Sequence, residues 1–233
     1  MSGDLINLLE RPTYGFAQVD RLLGLHGGTA RRWIDGYQRG GKPYPPVVRE
    51  KPTGNEIATW GEFVETRLLS EFRGAGVPLL RLRPAIDALR EELKTSYPLA
   101  SARAWLQTDG QELIRKVQER VGLESQLALV VVRTGQSTLS WTKPAEDFRR
   151  SVEWTGKDKD AQPRLLHPVR DLQDVVIDPL RASGEPVVRG VRTEIIGELV
   201  RAGDSPETIA ELYELPRSSV DAALRYELLR TAA

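Results

Sequence analysis

The sequence predicts an α+β protein in three parts: an N-terminal winged helix-turn-helix, a small antiparallel β region, and a C-terminal helix-turn-helix-like set of three helices. Three observations carry this. Residues 14–37 hold two apolar stripes at helical spacing around a glycine-broken turn. Residues 126–133, QLALVVVR, are rich in β-branched side chains and contain no breaker. Residues 194–228 hold three amphipathic pieces interrupted at Gly203 and Pro216. The expected boundaries are 1–95, 96–170 and 171–233.

In the lead, Leu5, Ile6, Leu8 and Leu9 predict an extra turn packed on the core. Phe16, Val19, Leu22 and Leu23 form the buried stripe of a first helix, which Gly24 can close, with Leu25 filling the turn. Thr29 is the expected N-cap of the second helix. Its Ala30, Trp33, Ile34 and Tyr37 share a face and leave Arg31, Arg32 and Asp35 outside. A helix-turn-helix has this layout, and its second helix can enter the DNA major groove. A plain structural helix pair shows the same pattern. Trp33 belongs with the core stripe rather than with stacked bases.

Glycines and prolines forbid a long helix over the next stretch. Strands at 46–50 and 56–59 around a turn at 52–55 would make a β-wing. Arg49, Lys51 and Asn55 would then be placed for backbone or minor-groove contacts; an ordinary connecting loop is the alternative. Thr59 and Glu62 have capping-box spacing, which predicts a helix over 60–73. Pro84 opens the next helix, with Ile86, Leu89 and Leu93 at helical spacing.

The middle is less uniform. Asp109-Gly110 suits a hairpin turn, while Leu113, Ile114, Val117 and Val121 suit a helix, so 102–121 reads either way. The run at 126–133 should turn at Thr134-Gly135-Gln136 and pair with 137–142. Residues 148–155 and 164–167 are further strand candidates. Near the C-terminus, Ser205 with Pro206 should cap the middle helix, and Pro216 should start the last.

The net charge is zero, yet it is unevenly spread. Between residues 26 and 51, Arg31, Arg32, Arg39, Lys42, Arg49 and Lys51 face only Asp35 and Glu50. From residue 170 onward acids exceed bases, which suits a protein partner better than phosphate. There is no cysteine and only His26 and His167, so a metal centre is not expected. No apolar run reaches the roughly 20 residues of a membrane span, and no signal-peptide core opens the chain, so a cytoplasmic protein is expected. Walker, G-x-S-x-G, H-E-x-x-H and G-x-G-x-x-G motifs are missing, so neither an enzyme nor a cofactor is expected.

The segment GFAQVDRLLGLHGGTARRWIDGY, with ATWGEFVETRLLSEFRGAGVPLLRLRPAIDALREEL after it, resembles the DNA-binding domain of MerR-type regulators. The Leu-Leu-Gly-Leu turn, the Arg-Arg-Trp and the Gly-Val-Pro-Leu carry the likeness. No long coiled coil follows Thr95, so a dimer would be built differently. VVIDPLRASGEPVVRGVRT and AGDSPETIAELYELPRSSVDAALRYELL resemble a bacterial domain of unknown function, often found as the antitoxin beside PIN-like toxins. Longer members look like VapB-type antitoxins. Val191 stands where many members have Thr.

These resemblances imply a homodimeric antitoxin that binds operator DNA, represses its own operon and neutralises a PIN-like RNase toxin. Arg31 and Arg32 would reach the groove or phosphates, Thr29 would contact backbone, and Tyr37, Arg39 and Lys42 would flank them. Arg181, Arg189 and Arg192 would enter the toxin's acidic site, or else serve intradomain ion pairs. The alternatives are a stand-alone MerR-like regulator and an interaction adaptor without DNA affinity.

Overall fold

The computed structural model describes residues 7–74, 79–107, 109–132, 138–157 and 161–231. The fold mixes helices with small antiparallel sheets, as the sequence predicts. The chain divides into two compact units: residues 1–150 with 154–163, and residues 151–153 with 164–233.

The first unit opens with β1 (Pro12–Gly15), α1 (Phe16–Leu22) and α2 (Thr29–Ile34). Phe16, Val19 and Leu22 are buried on α1, and Ala30 and Ile34 on α2, as their spacing requires. A hairpin follows at once, β2 (Tyr37–Arg39) and β3 (Lys42–Tyr44). This is the wing, and it lies earlier than expected. Gly40 and Gly41 form its two-residue turn with φ of 57° and 75°, the positive pair a type I′ turn demands. Residues 46–50 are not a strand. Val47 and Val48 are buried there, and both their N–H groups donate to the Trp33 carbonyl, at 2.7 and 3.0 Å.

β4 (Ile57–Thr59) does form, but its partner is β1, antiparallel. It leads directly into α3 (Trp60–Gly74). The predicted capping box is present in both directions: Thr59 N–H donates to Glu62 Oε2 at 2.9 Å and Glu62 N–H to Thr59 Oγ1 at 3.2 Å. Tyr14, Trp60 and Phe63 are fully buried together, with the Tyr14 and Phe63 ring centroids 4.4 Å apart. α4 (Arg83–Leu93) buries Ala85, Ile86 and Leu89.

The ambiguous stretch is helical: α5 (Ala102–Leu106) and α6 (Gly110–Arg120). Ile114 and Val117 face inward on α6. The QLALVVVR strand shrinks to β5 (Val130–Val132), paired antiparallel with β6 (Leu139–Trp141). Ahead of β5, the buried Gln118 side chain accepts from the Leu129 and Val130 N–H groups and donates to the Val130 carbonyl, replacing a strand partner. Residues 148–151 are not strand. α7 (Lys143–Ser151) takes them, because Ala145 and Phe148 share one buried face and Glu146 pairs with Arg149 and Arg150 on the other. Leu5, Ile6 and the turn at Thr134-Gly135-Gln136 lie outside the described residues.

The five-stranded sheet runs in chain order: β7 (Val152–Thr155), β8 (Gln162–Leu166), β9 (Val175–Ile177), β10 (Pro186–Val188) and β11 (Val191–Arg192). The second unit packs its strands against α8 (Thr193–Ala202), α9 (Pro206–Leu212) and α10 (Arg217–Thr231). Its core joins Val175 and Val188 to Ile196, Ile209, Val220 and Tyr226. Val191 packs against that core, so the methyl in place of a hydroxyl has an apolar setting. Ser205 caps α9 as expected, its Oγ accepting from Thr208 N–H at 3.1 Å.

Candidate nucleic-acid interface

The turn between α1 and α2 is held by a residue the apolar pattern does not single out. Asp20 is 4% exposed, and its two carboxylate oxygens accept from Gly28 N–H at 2.6 Å and Ala30 N–H at 2.7 Å. Two free donors at the start of α2 are thereby satisfied from the preceding helix. The N-cap position belongs to Gly28, at φ 77°, and not to Thr29. Thr29 is buried, and its hydroxyl accepts from Arg32 Nη2 at 2.9 Å, so it is not presented for a phosphate contact.

Arg31 and Arg32 are exposed on α2. Arg31 has a loose surface partner, Glu56 at 3.4 Å, with both side chains more than 60% exposed. Such a pair contributes little and is readily exchanged for another anion. The hairpin stands next in the chain, with Arg39 and Lys42 exposed on opposite strands in direct register. Tyr37 and Tyr44 stack at 4.6 Å and nearly parallel, stiffening the base of the hairpin, and the Lys42 ammonium sits 5.9 Å from the Tyr44 ring centre. Gly36 sets the angle at which the hairpin leaves α2. A Cβ there would meet the Tyr44 carbonyl oxygen at 2.7 Å.

Arg49 is the main departure from expectation. Its side chain is 9% exposed and points inward. It donates to Asp35 at 2.7 Å, to Glu62 at 2.6 and 3.1 Å, and to the Asn55 and Ile57 carbonyls. Burial alone would raise the Asp35 pKa, but hydrogen bonds from Thr53, Arg49 and Gly54 outweigh it, and the carboxyl titrates below its ordinary value. Arg49 therefore ties the end of α2 to the start of α3 and cannot reach DNA. Lys51 and Asn55 are exposed on the loop that Arg49 organises. The Asn55 side chain accepts from Ile57 N–H at 3.0 Å, a turn-forming bond.

The C-terminal arginines are not one cluster. Arg189 is exposed at the tip of the β10–β11 hairpin, Arg192 is exposed within β11, and Arg181 lies beyond the other end of β10. Arg181 is paired with Asp178 at 3.6 Å. Arg189 has a φ of 47°, an unusual conformation for a long side chain.

Comparison with known proteins places this geometry. Residues 12–86 match a family described as "Putative DNA-binding HTH domain", and residues 175–226 match "Protein of unknown function (DUF433)". The chain is 38% identical to "Uncharacterized protein Rv2308" of Mycobacterium tuberculosis, covering 97% of this chain and 96% of that protein. It is 32% identical to "Putative antitoxin VapB45" of the same organism, over 87% of this chain and 88% of that one. The chain belongs to the Rv2308–VapB45 family. A crystal structure of Rv2018 from M. tuberculosis has the same fold, with a TM-score of 0.71 at 28% identity, covering 91% of this chain and 97% of that one.

The helix-turn-helix of this Rv2308–VapB45 family member thus spans β1 to α4, and the family of unknown function spans β9 to α10. Neither the helix-turn-helix family nor the antitoxin name denotes an enzyme, in line with the sequence expectation. Among the described residues no helix is long and apolar enough to cross a membrane.

Proposed function

We propose that this protein is a VapB-type antitoxin that binds operator DNA through a MerR-like N-terminal domain, represses its own operon and neutralises a PIN-like RNase toxin. The observation that carries the reading is the exposure of Arg31 and Arg32 on a helix braced from behind by Asp20 and Arg49. Preorganised cations on a rigid helix meet phosphate or guanine edges at small entropic cost. Arg39 and Lys42 on the hairpin, with Tyr37 at its base, and Lys51 and Asn55 on the neighbouring loop would extend the footprint. An inverted-repeat operator would call for a homodimer.

The functional division proposed is residues 1–95 for DNA, 96–170 as a connecting region and 171–233 for the toxin. Arg181, Arg189 and Arg192 are the proposed toxin contacts; Arg181, loosely paired with Asp178 at 3.6 Å, keeps its side chain exposed. The name of the VapB45 relative supports the antitoxin reading. The test is co-expression with the product of the neighbouring open reading frame. A toxic RNase whose growth arrest is relieved by this chain, and not by its Arg189→Ala/Arg192→Ala variant, is the expected result. A harmless neighbour that does not co-purify would contradict it.

A further inference from the structure

Beside α2 lies an open cleft of about 610 Å³, which shares Arg32 and Tyr37 with the proposed DNA footprint but whose far wall has no part in it. One wall is Arg32 and Trp33 of α2 with Tyr37 of the hairpin; the opposite wall is the end of α3, with Arg67 and Arg73. His26 of the helix-turn-helix turn completes the rim. Among the described residues the lining contains three arginines and a histidine and not one acidic side chain. Glu71 offsets Arg67 from behind, so Arg32 and Arg73 supply most of the cleft's positive field.

Arg67 adds a second observation. Its side chain is 18% exposed. Its Nη2 pairs with Glu71 at 2.6 Å and its Nη1 donates to Ser70 at 3.2 Å. Its Nε–H is buried with no hydrogen-bond partner among the described residues. A buried donor without an acceptor is a net cost to the fold. An anion held against this wall would relieve part of that cost through its field and, after a small guanidinium rotation, through a bond.

The remaining lining is apolar: Leu25 and Leu80 are among the leucines, and Trp33 offers a half-buried aromatic face. A phosphate group alone would leave this surface uncovered. The volume is that of a site for a small organic molecule, typically about 300–1,000 Å³. We propose that the cleft binds a small organic anion with an aromatic body, its acidic group toward Arg67 and Arg73 and its ring toward Trp33. The proposal rests on the lining of the cleft alone and does not require that the protein bind DNA.

The test uses the full chain and two fluorescent probes of similar size, anionic 8-anilinonaphthalene-1-sulfonate and neutral N-phenyl-1-naphthylamine. The expected result is saturable one-to-one binding of the sulfonate, at least tenfold tighter than the neutral probe. Arg67→Met should weaken it at least fivefold, and Trp33→Phe should reduce energy transfer to the bound dye, the other four tryptophans still contributing. Arg73 is exposed at the end of α3, so Arg73→Ala keeps the test open if Arg67→Met fails to fold. Equal affinity for both probes would overturn the proposal. So would binding that both Arg67→Met and Arg73→Ala leave unchanged, because the anion would then not lie against the α3 wall.

Discussion

The chain carries two helix-turn-helix arrangements, and they are built in opposite ways. In the first, the cap comes from a distance: Asp20, eight and ten residues back, accepts from Gly28 and Ala30. In the second, the cap is local: Ser205 accepts from Thr208. The cations differ as well. Among the described residues, Arg31 and Arg32 stand exposed on α2 with a single loose acidic partner. Arg217, at the start of α10, is held by Glu207 at 2.9 Å and Asp221 at 3.0 Å. Similar helical patterns therefore place loosely paired arginines on α2 and a doubly paired arginine at the start of α10. The availability of charge, more than the presence of a helix pair, is what a polyanionic partner requires.

The sharpest way to break this comparison is at Arg49. Arg49→Met leaves Asp35 and Glu62 facing each other with little solvent, and about 3–5 kcal/mol of stability should be lost, read by urea unfolding. A loss below 1 kcal/mol would mean that the network does not brace α2. Next comes Asp20→Ala, which strands two N–H groups and should cost about 2–3 kcal/mol. Ser205→Ala removes one exposed local bond and should cost about 1 kcal/mol. Equal losses for these two variants would erase the contrast between distant and local capping.

A pH experiment sharpens the first unit further. Glu65 is fully buried, and desolvation pushes its pKa up to about 8, against the bond from Leu99 N–H. Because the folded value exceeds the unfolded one, its contribution is fully present below about pH 4.5 and is lost as pH rises through about 8. Glu65→Gln keeps the acceptor for Leu99 and should flatten the fall in melting temperature over that window. Asp35 works the other way: its depressed pKa means that stability is present above the ordinary carboxylate range and is lost on acidification through the folded value.

What the sequence discloses follows the range of the interaction. The capping box at Thr59 and Glu62, the Ser205 cap and the stripes of α1 and α2 are all settled within four residues, and all are legible. Asp20 and Arg49 act over eight to fourteen residues, and nothing in helical spacing marks a charged residue as buried. The hairpin at Gly40-Gly41 did carry a local signal, the glycine pair between Tyr37-Gln38-Arg39 and Lys42-Pro43-Tyr44. Pro43 sits in a two-stranded ribbon, which has a free edge where its missing N–H is harmless. Residues 102–121 were undecidable because Asp109-Gly110 serves a hairpin turn and a helix start equally well, and packing of Ile114 and Val117 settled it.

The salt dependence of DNA binding tests the central claim most directly. Fluorescence anisotropy with the DNA upstream of the gene, from 50 to 200 mM salt, should give a linear fall of log K with log salt. Arg31→Ala/Arg32→Ala should weaken binding about 10- to 100-fold and reduce the slope by about 1–2, the share of two lost phosphate contacts, with the melting temperature unchanged. Identical affinity and slope for the two proteins, or no retention of DNA by the full chain at 50 mM salt, would contradict the account.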